Sequence, residues 1–358
     1  MRYSNLKITL SEVGMPRSIK LSDVAQHAGV SVPTVSRVLR GVPNVAAELR
    51  ERVQHSVKEL GYQPNRLAKS LREHRTGIIG YLSAGNIATF HHILGQGIQN
   101  AALDHGYAVI TGHGSTLERE MTYAKIFESY QVDGLIITPS SNSDPYIEEL
   151  AQHIPTIEVD RTFGAYSRHT VLLDNYTALG DAVDHLTELG HHSIGLIYGN
   201  APVSTEVERK QGFLERMAHH GLDVHPDWLI SDEYSEEGGV RATHHLLDSG
   251  LHVSAVIVTT NEMLAGVVQA LRSRNLSIPH DLSLIGMDDT RWARMMEPPL
   301  TVIAQPAYEM GYEACRLMIR SLEKAEFDDA TPVVHRLPAR LMVRSSTGPP
   351  KEVDLMVQ

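Results

Sequence analysis

Leu21-Ser22-Asp23-Val24-Ala25-Gln26-His27-Ala28-Gly29-Val30-Ser31-Val32-Pro33-Thr34-Val35-Ser36-Arg37-Val38-Leu39 reads as two short helices joined by a tight turn at Gly29. Ser22 is expected to cap the first helix and Ser31 the second. Pro33 suits a first helical turn, where a missing N–H costs nothing. Val24, Ala25 and Ala28 give the first helix an apolar face, and Val35, Val38 and Leu39 do the same for the second. Val32, Pro33, Thr34, Ser36 and Arg37 are left pointing outward. Residues 46–60 continue the pattern, with Leu49, Val53, Val57 and Leu60 at helical spacing, Gly61 as a stop signal and Pro64 beyond it. Three short helices in so little chain make a compact head. A helix-turn-helix of this form presents the start of its second helix to the major groove of DNA.

Charge supports that reading once the chain is divided. All 358 residues carry a formal net charge of -11, which taken whole argues against nucleic acid. Residues 1–76, however, hold 13 Lys and Arg against 6 Asp and Glu, leaving 19 against 37 for the rest. A basic head on an acidic body offers one face to phosphate and keeps the remainder away from it. A single cysteine, Cys315, excludes an intramolecular disulfide and a multi-cysteine zinc site, and suits a reducing cytoplasm. The start Met1-Arg2-Tyr3-Ser4-Asn5-Leu6-Lys7 lacks the apolar run of a signal peptide, and no span is long enough to cross a membrane. Residues 1–17 show no periodicity and are expected to be a disordered tail, with Met15 as an alternative start.

After Thr76 short apolar runs alternate with amphipathic segments. Residues 78–83 precede 93–105, 108–111 precede 118–130, and 134–138 precede 146–152 and 156–159. A second series takes in 176–189, 193–198, 207–220, 240–249, 255–259, 264–274 and 282–287. Strands alternating with helices imply parallel sheets covered on both faces, and so many units require two doubly wound lobes. Ligands in such sheets sit beyond the carboxyl ends of the strands. Enzyme signatures are missing. Gly95-Gln96-Gly97 and Gly112-His113-Gly114 do not complete a dinucleotide fingerprint, and no P-loop lysine occurs. The histidine pairs His91-His92, His191-His192, His219-His220 and His244-His245 are adjacent, so on a helix they diverge by about 100° and make poor metal pairs. No catalytic residue, metal or cofactor is expected.

Three stretches in order carry a resemblance. Residues 30–39 match Val-Ser-x-x-Thr-Val-Ser-Arg-Val-Leu. Tyr62-Gln63-Pro64-Asn65-Arg66-Leu67-Ala68-Lys69-Ser70-Leu71 matches Tyr-x-Pro-Asn-x-x-Ala-Arg-x-Leu. The body offers Val132-Asp133-Gly134-Leu135-Ile136, Ile285-Gly286-Met287-Asp288-Asp289 and Gln305-Pro306. Over residues 18–345 the chain resembles the LacI/GalR family of bacterial transcription regulators. The resemblance implies an all-α helix-turn-helix domain (18–63), a hinge helix or linker (64–76) and an α/β periplasmic-binding-protein-like core (77–345). The core's first lobe takes in about 77–174 and 306–335, and its second about 175–305 and 336–345. Residues 346–358, with Gly348-Pro349-Pro350, are expected to form a loose C-terminal tail.

The resemblance also assigns roles. Arg37 falls at a base-reading position, where a guanidinium can bridge guanine O6 and N7; a phosphate contact is the alternative. Val32 and Pro33 occupy the two specificity positions, but neither donates a hydrogen bond, so they read only shape and thymine methyls. Ser31, Thr34 and Ser36 are expected to hold phosphates and fix register, with Ser22 counted on the same face. In the family the linker folds on operator DNA, pairs with its twin in the minor groove and wedges a leucine between base pairs. Asn65, Ala68, Lys69 and Leu71 fall there; Leu71 matches the wedge, with packing against the body as its alternative, and Lys69 stands where arginine is commoner. One head contacts too few bases for selectivity, so a homodimer reading a near-palindrome follows.

Six positions carry over to an effector pocket: Phe90, Asp160, Arg209, Asn261, Asp288 and Gln305. Glu262 stands where aspartate is usual. Trp292 is either a further aromatic wall or core packing. Carboxylate, guanidinium and amide groups on one cleft suit a polyhydroxylated ligand, since each bridges neighbouring hydroxyls. The expected protein is a cytoplasmic regulator, nucleoid-associated when bound to DNA. It would repress carbohydrate-use genes from a palindromic operator under control of a small sugar or nucleoside-like effector, with release of DNA the commoner outcome in the family. A solute-binding receptor and a regulator using a phosphoprotein co-ligand are the alternatives.

Overall fold

The computed structural model describes residues 19–39, 41–43, 45–62, 75–84, 89–114, 116–140, 145–163, 168–250, 252–323 and 332–351. The chain divides into two compact units, residues 1–76 and 77–358.

The first unit holds α1 (Leu21–Ala28), α2 (Val32–Leu39) and α3 (Ala47–Leu60). Val24, Ala25, Ala28, Val35, Val38 and Val53 form its core, each no more than 6% exposed. Gly29 ends α1 in the left-handed region, with φ 62°. Across that turn Arg52 donates to the carbonyls of Ala28 (2.6 Å) and Gly29 (3.3 Å), which the helix end would otherwise leave orphaned. Two expectations need correction. Lys20, not Ser22, is the N-cap of α1, and its backbone N–H donates to the Asp23 carboxylate at 2.8 Å. A carboxylate in the first turn also meets the positive end of the helix dipole, so Asp23 outcompetes a hydroxyl. Leu39 is 36% exposed, because Val35 and Val38 already fill the face of α2 that meets its neighbours. Ser31 does receive the N–H of Thr34, at 3.4 Å. The linker expectation, with Asn65, Ala68, Lys69 and Leu71, lies outside the described residues.

In the second unit the first lobe is a sheet of order β11-β5-β4-β3-β1-β2, every pairing parallel. Its strands are β1 (Ile78–Ser83), β2 (Ala108–His113), β3 (Gly134–Ile137), β4 (Thr156–Val159), β5 (His169–Leu173) and β11 (Val334–Leu337). Helices α4 (Thr89–Asp104), α5 (Leu117–Ser129), α6 (Pro145–Leu150) and α12 (Ala307–Glu323) cover it. The second lobe repeats the plan with order β12-β10-β9-β8-β6-β7, antiparallel only at β10 with β12. It comprises β6 (Ile194–Gly199), β7 (Leu229–Asp232), β8 (Ala255–Val258), β9 (Ser283–Met287), β10 (Thr301–Ala304) and β12 (Arg340–Met342). Helices α7 (Asn175–Glu188), α8 (Ser204–His219), α9 (Glu236–Asp248), α10 (Asn261–Ser273) and α11 (Arg291–Met295) flank this sheet. The chain passes between lobes at Asp174, at Gln305–Pro306 and at residues 338–339. Central strands are buried on both faces, as β3 shows with all of Gly-Leu-Ile-Ile buried.

Gly97 serves packing rather than phosphate binding. A Cβ there would stand 2.1 Å from the Tyr308 carbonyl oxygen, and one on Gly311 2.0 Å from that of Leu94. Helices α4 and α12 therefore meet backbone to backbone. Gly311→Val is expected to destabilise the body by about 3 kcal/mol or more through overpacking. A clear drop in the urea midpoint of the full chain would show it; an unchanged midpoint would contradict the close approach.

The expected C-terminal tail also needs correction. Ser346 is fully buried, and its hydroxyl accepts from the Thr301 N–H at 2.7 Å and donates to the Leu284 carbonyl at 2.6 Å. His191 Nε2 donates to the Gly348 carbonyl at 2.8 Å, and the Gly348 N–H to Ser283 Oγ at 3.1 Å. Residues 346–351 are thus pinned to the second sheet by backbone polar groups that burial obliges to pair. Residues 352–358 lie outside the described residues.

Candidate DNA-binding face and ligand cleft

On the head, Val32 (41% exposed), Pro33 and Arg37 face outward from α2, while Thr34 and Ser36 are half-buried beside them. The Ser31 and Thr34 hydroxyls share a hydrogen bond of 2.8 Å. The Arg37 side chain makes no hydrogen bond or ion pair among the described residues, so its guanidinium is unencumbered. Ser22 is exposed on α1.

In the body, a cleft of about 440 Å³ opens between the lobes, and Phe90, Asp160, Arg209, Asn261, Asp288 and Gln305 all line it. Asp160 follows β4 and Asp288 follows β9, each the first residue past its strand. Both have left-handed backbones, with φ 67° and 72°. Non-glycine residues enter that region at a cost, and such strain concentrates where side chains must be aimed at a ligand. Asp288 accepts from Gln305 Nε2 at 2.8 Å. Burial pushes the Asp288 carboxyl up to about 6, against the pull of Gln305 and Arg209; Glu262 and Asp160 add to the rise.

Arg209, on the first turns of α8, is held in the wall of the second lobe. Its Nε donates to Asn175 Oδ1 at 2.8 Å, and its Nη1 to the Thr259 carbonyl at 3.0 Å and to Glu206 Oε1 at 3.4 Å. Glu206 also accepts from the Thr259 hydroxyl at 3.0 Å. Burial raises the Glu206 carboxyl, while the Arg209 charge and the Thr259 hydrogen bond draw it back. Asn261 opens α10, and its Oδ1 accepts from Trp292 Nε1 at 2.9 Å. Trp292 does not line the cleft; it packs against the core of the second lobe and holds the Asn261 side chain from behind.

Sequence reading missed Glu206, His91, Arg161 and Tyr234, all of which line the cleft. His91 Nδ1, Arg161 Nε and Gln305 Oε1 are buried without a hydrogen-bond partner among the described residues, and the Tyr234 hydroxyl has the Glu206 carboxylate beside it. Burial pushes His91 down to about 4, so its imidazole is neutral near pH 7. Buried polar atoms are ordinarily satisfied, and three unsatisfied ones on one cleft are what a polar ligand would engage. No group of three or more His, Cys, Asp or Glu among the described residues is placed to hold a metal ion. No helix among them is long and apolar enough to cross a membrane.

The shifted Asp288 carboxyl gives a signed pH prediction. Its folded value, about 6, lies above its ordinary 3.8, so the native state holds the extra proton between those values. Stability associated with this group is greatest in acid and is lost as pH rises through about 6. Asp288→Asn, which keeps an acceptor for Gln305, is expected to raise the melting temperature at pH 7.5 and to lose that advantage near pH 4. The gain is about 1–2 kcal/mol once the solvent-facing side of Asp288 is allowed for. An equal effect at both pH values would refute it.

Comparison with known proteins identifies the family and the fold. The family profile described as bacterial regulatory proteins, lacI family, matches residues 20–65, and that of a periplasmic binding protein-like domain matches residues 183–347. Catabolite control protein A of Priestia megaterium is 30% identical over 334 residues, 92% of this chain and 99% of its own. Among solved structures, a lac repressor dimer bound to operator and the anti-inducer ONPF superposes with a TM-score of 0.81 at 25% identity, over 93% of this chain and 100% of that one. A complex of the transcriptional regulator CelR with cellobiose gives 0.70 at 29% identity, over 92% and 99%. A helix-turn-helix head on a two-lobed binding core defines a ligand-responsive DNA-binding regulator. The chain belongs to the LacI family of bacterial regulatory proteins, and its function is regulation of transcription.

Proposed function

We propose that this chain represses carbohydrate-use genes. It binds a palindromic operator as a homodimer, and a small sugar or nucleoside-like effector in the interlobe cleft controls that binding. The observation that carries the effector reading is the pair of left-handed aspartates, Asp160 and Asp288, placed at matching strand ends of the two lobes over one polar cleft. The lac repressor and CelR structures, with their small ligands, support it by likeness. Arg37 reads bases, Val32 and Pro33 contribute shape, and Ser22, Ser31, Thr34 and Ser36 hold the phosphate backbone. Asn65, Ala68, Lys69 and Leu71 supply the hinge, with Leu71 as the wedge. The cleft binds and does not catalyse, and the protein works in the cytoplasm on the nucleoid. Effector affinity must differ between the open and closed lobe arrangements for DNA binding to respond.

The test is equilibrium binding of the full chain to the palindromic promoter fragment nearest its gene and to random duplex, over a range of salt, with and without effectors found by thermal shift. Preference for the palindrome, a steep salt dependence and a ligand-induced change in affinity are expected. No preference for any palindrome, or indifference of DNA binding to every ligand that stabilises the protein, would overturn it.

A further inference from the structure

We infer that the effector carries no negative charge: the cleft takes an unphosphorylated polyhydroxylated molecule and rejects sugar phosphates and sugar acids. This rests on the reading of the cleft as the effector site. Two guanidiniums line the cleft, and each already has a carboxylate within ion-pair distance: Arg209 with Glu206 at 3.4 Å and Arg161 with Asp160 at 3.7 Å. Arg209 is further committed to the wall through Asn175 and the Thr259 carbonyl. Glu262 and Asp288 line the same cleft, and neither has a cation within ion-pair distance among the described residues. The charges beyond the pairs are therefore all negative.

Helix N-termini are the usual alternative means of holding an anion, since their free N–H groups and dipole favour negative charge. Here both second-lobe helices that open on the cleft carry their own anion in the first turn, Glu206 on α8 and Glu262 on α10. The Thr260 hydroxyl caps α10 by accepting from the Met263 N–H at 3.2 Å. Helix α4 has no acid in its first turn, but it presents Phe90 and the neutral His91 there. What the cleft leaves open is His91 Nδ1, Arg161 Nε and Gln305 Oε1, beside Asp288 and Glu262. An imidazole nitrogen, an amide oxygen, carboxylates and one N–H of a guanidinium whose charge Asp160 already meets are partners for hydroxyl groups. A phosphate would meet two uncompensated carboxylates at close range in a partly water-excluded site, where repulsion is strong.

The experiment is thermal shift and titration calorimetry of the full chain with matched pairs: ribose and ribose 5-phosphate, glucose and glucose 6-phosphate, glucose and gluconate, adenosine and adenosine monophosphate, with cellobiose added. At least one neutral member is expected to raise the melting temperature, with its anionic partner bound at least about 100-fold more weakly. In Glu262→Gln that gap is expected to narrow by about tenfold, because one of the two uncompensated charges is gone. An anionic member that stabilises the protein while its neutral parent does not would overturn the proposal and leave the effector reading standing, as would an unchanged gap in Glu262→Gln. Silence of both classes would instead overturn the effector reading, and the proposal with it.

Discussion

Arg37→Ala is expected to remove most of the preference for operator over random duplex while leaving the head folded. A bidentate guanidinium–guanine pair discriminates by about 1–3 kcal/mol, and a dimer makes it twice, so operator affinity should fall roughly 30-fold to 20,000-fold. Random duplex should bind nearly as before. The prediction is clean because Arg37 is exposed and its side chain has no partner among the described residues; its removal breaks no contact of the Val24–Val35–Val53 core. Circular dichroism and the melting temperature should therefore stay within surface-substitution limits of about 0.5 kcal/mol. The measurement is fluorescence anisotropy on both duplexes at several salt concentrations. A phosphate contact would behave differently: both duplexes would lose affinity alike, and the salt slope would shrink by about one per head. That pattern would remove Arg37 from the base-reading role.

Much of the architecture is legible in the sequence because it is written locally. The head's helices follow from apolar spacing and from glycines that must enter the left-handed region at Gly29 and Gly61. Central strands such as β3 and β8 announce themselves as short apolar runs buried on both faces. What escapes is what the tertiary structure decides. Strands β11 and β12 are edge strands of a few residues, half polar, and they exist through pairing with β5 and β10 far back in the chain. The pinning of residues 346–351 depends on a buried histidine, His191, and two serine hydroxyls that no local pattern links to Gly348. Within the cleft, strand-end positions were readable, since Asp160, Asn261 and Asp288 each follow an apolar run. Glu206 was within reach too, three residues before Arg209 on one helical face. Tyr234 was not: it enters from the segment after β7, and it fits because Gly199 has no Cβ, which would stand 2.1 Å from its ring. Ser22 and Leu39 misled because a nearby carboxylate and two better-placed valines won the competition for cap and core.

Arg209→Met should have the largest effect on the body, and its partner variants separate ligand binding from stability. Arg209 is 6% exposed and its guanidinium serves three acceptors at once: Asn175 Oδ1, the Thr259 carbonyl and the Glu206 carboxylate. Methionine fills the volume of the stem but leaves Glu206 as a buried carboxylate without its cation, and removing one partner of such a pair costs about 3–5 kcal/mol. Glu206 can lessen that cost by taking up a proton, since burial already pushes it in that direction. Loss of stability in Arg209→Met should therefore be larger at pH 8 than at pH 5. Pairing it with Glu206→Gln removes the stranded charge, keeps an acceptor for the Thr259 hydroxyl, and should restore most of the urea midpoint. It should not restore effector binding, because methionine offers the ligand no hydrogen-bond donor in place of the guanidinium. Operator affinity without effector should match wild type in both variants, because neither touches the head. If Arg209→Met retained the wild-type effector dose response, Arg209 would be a structural strut of the second lobe and no part of the ligand site.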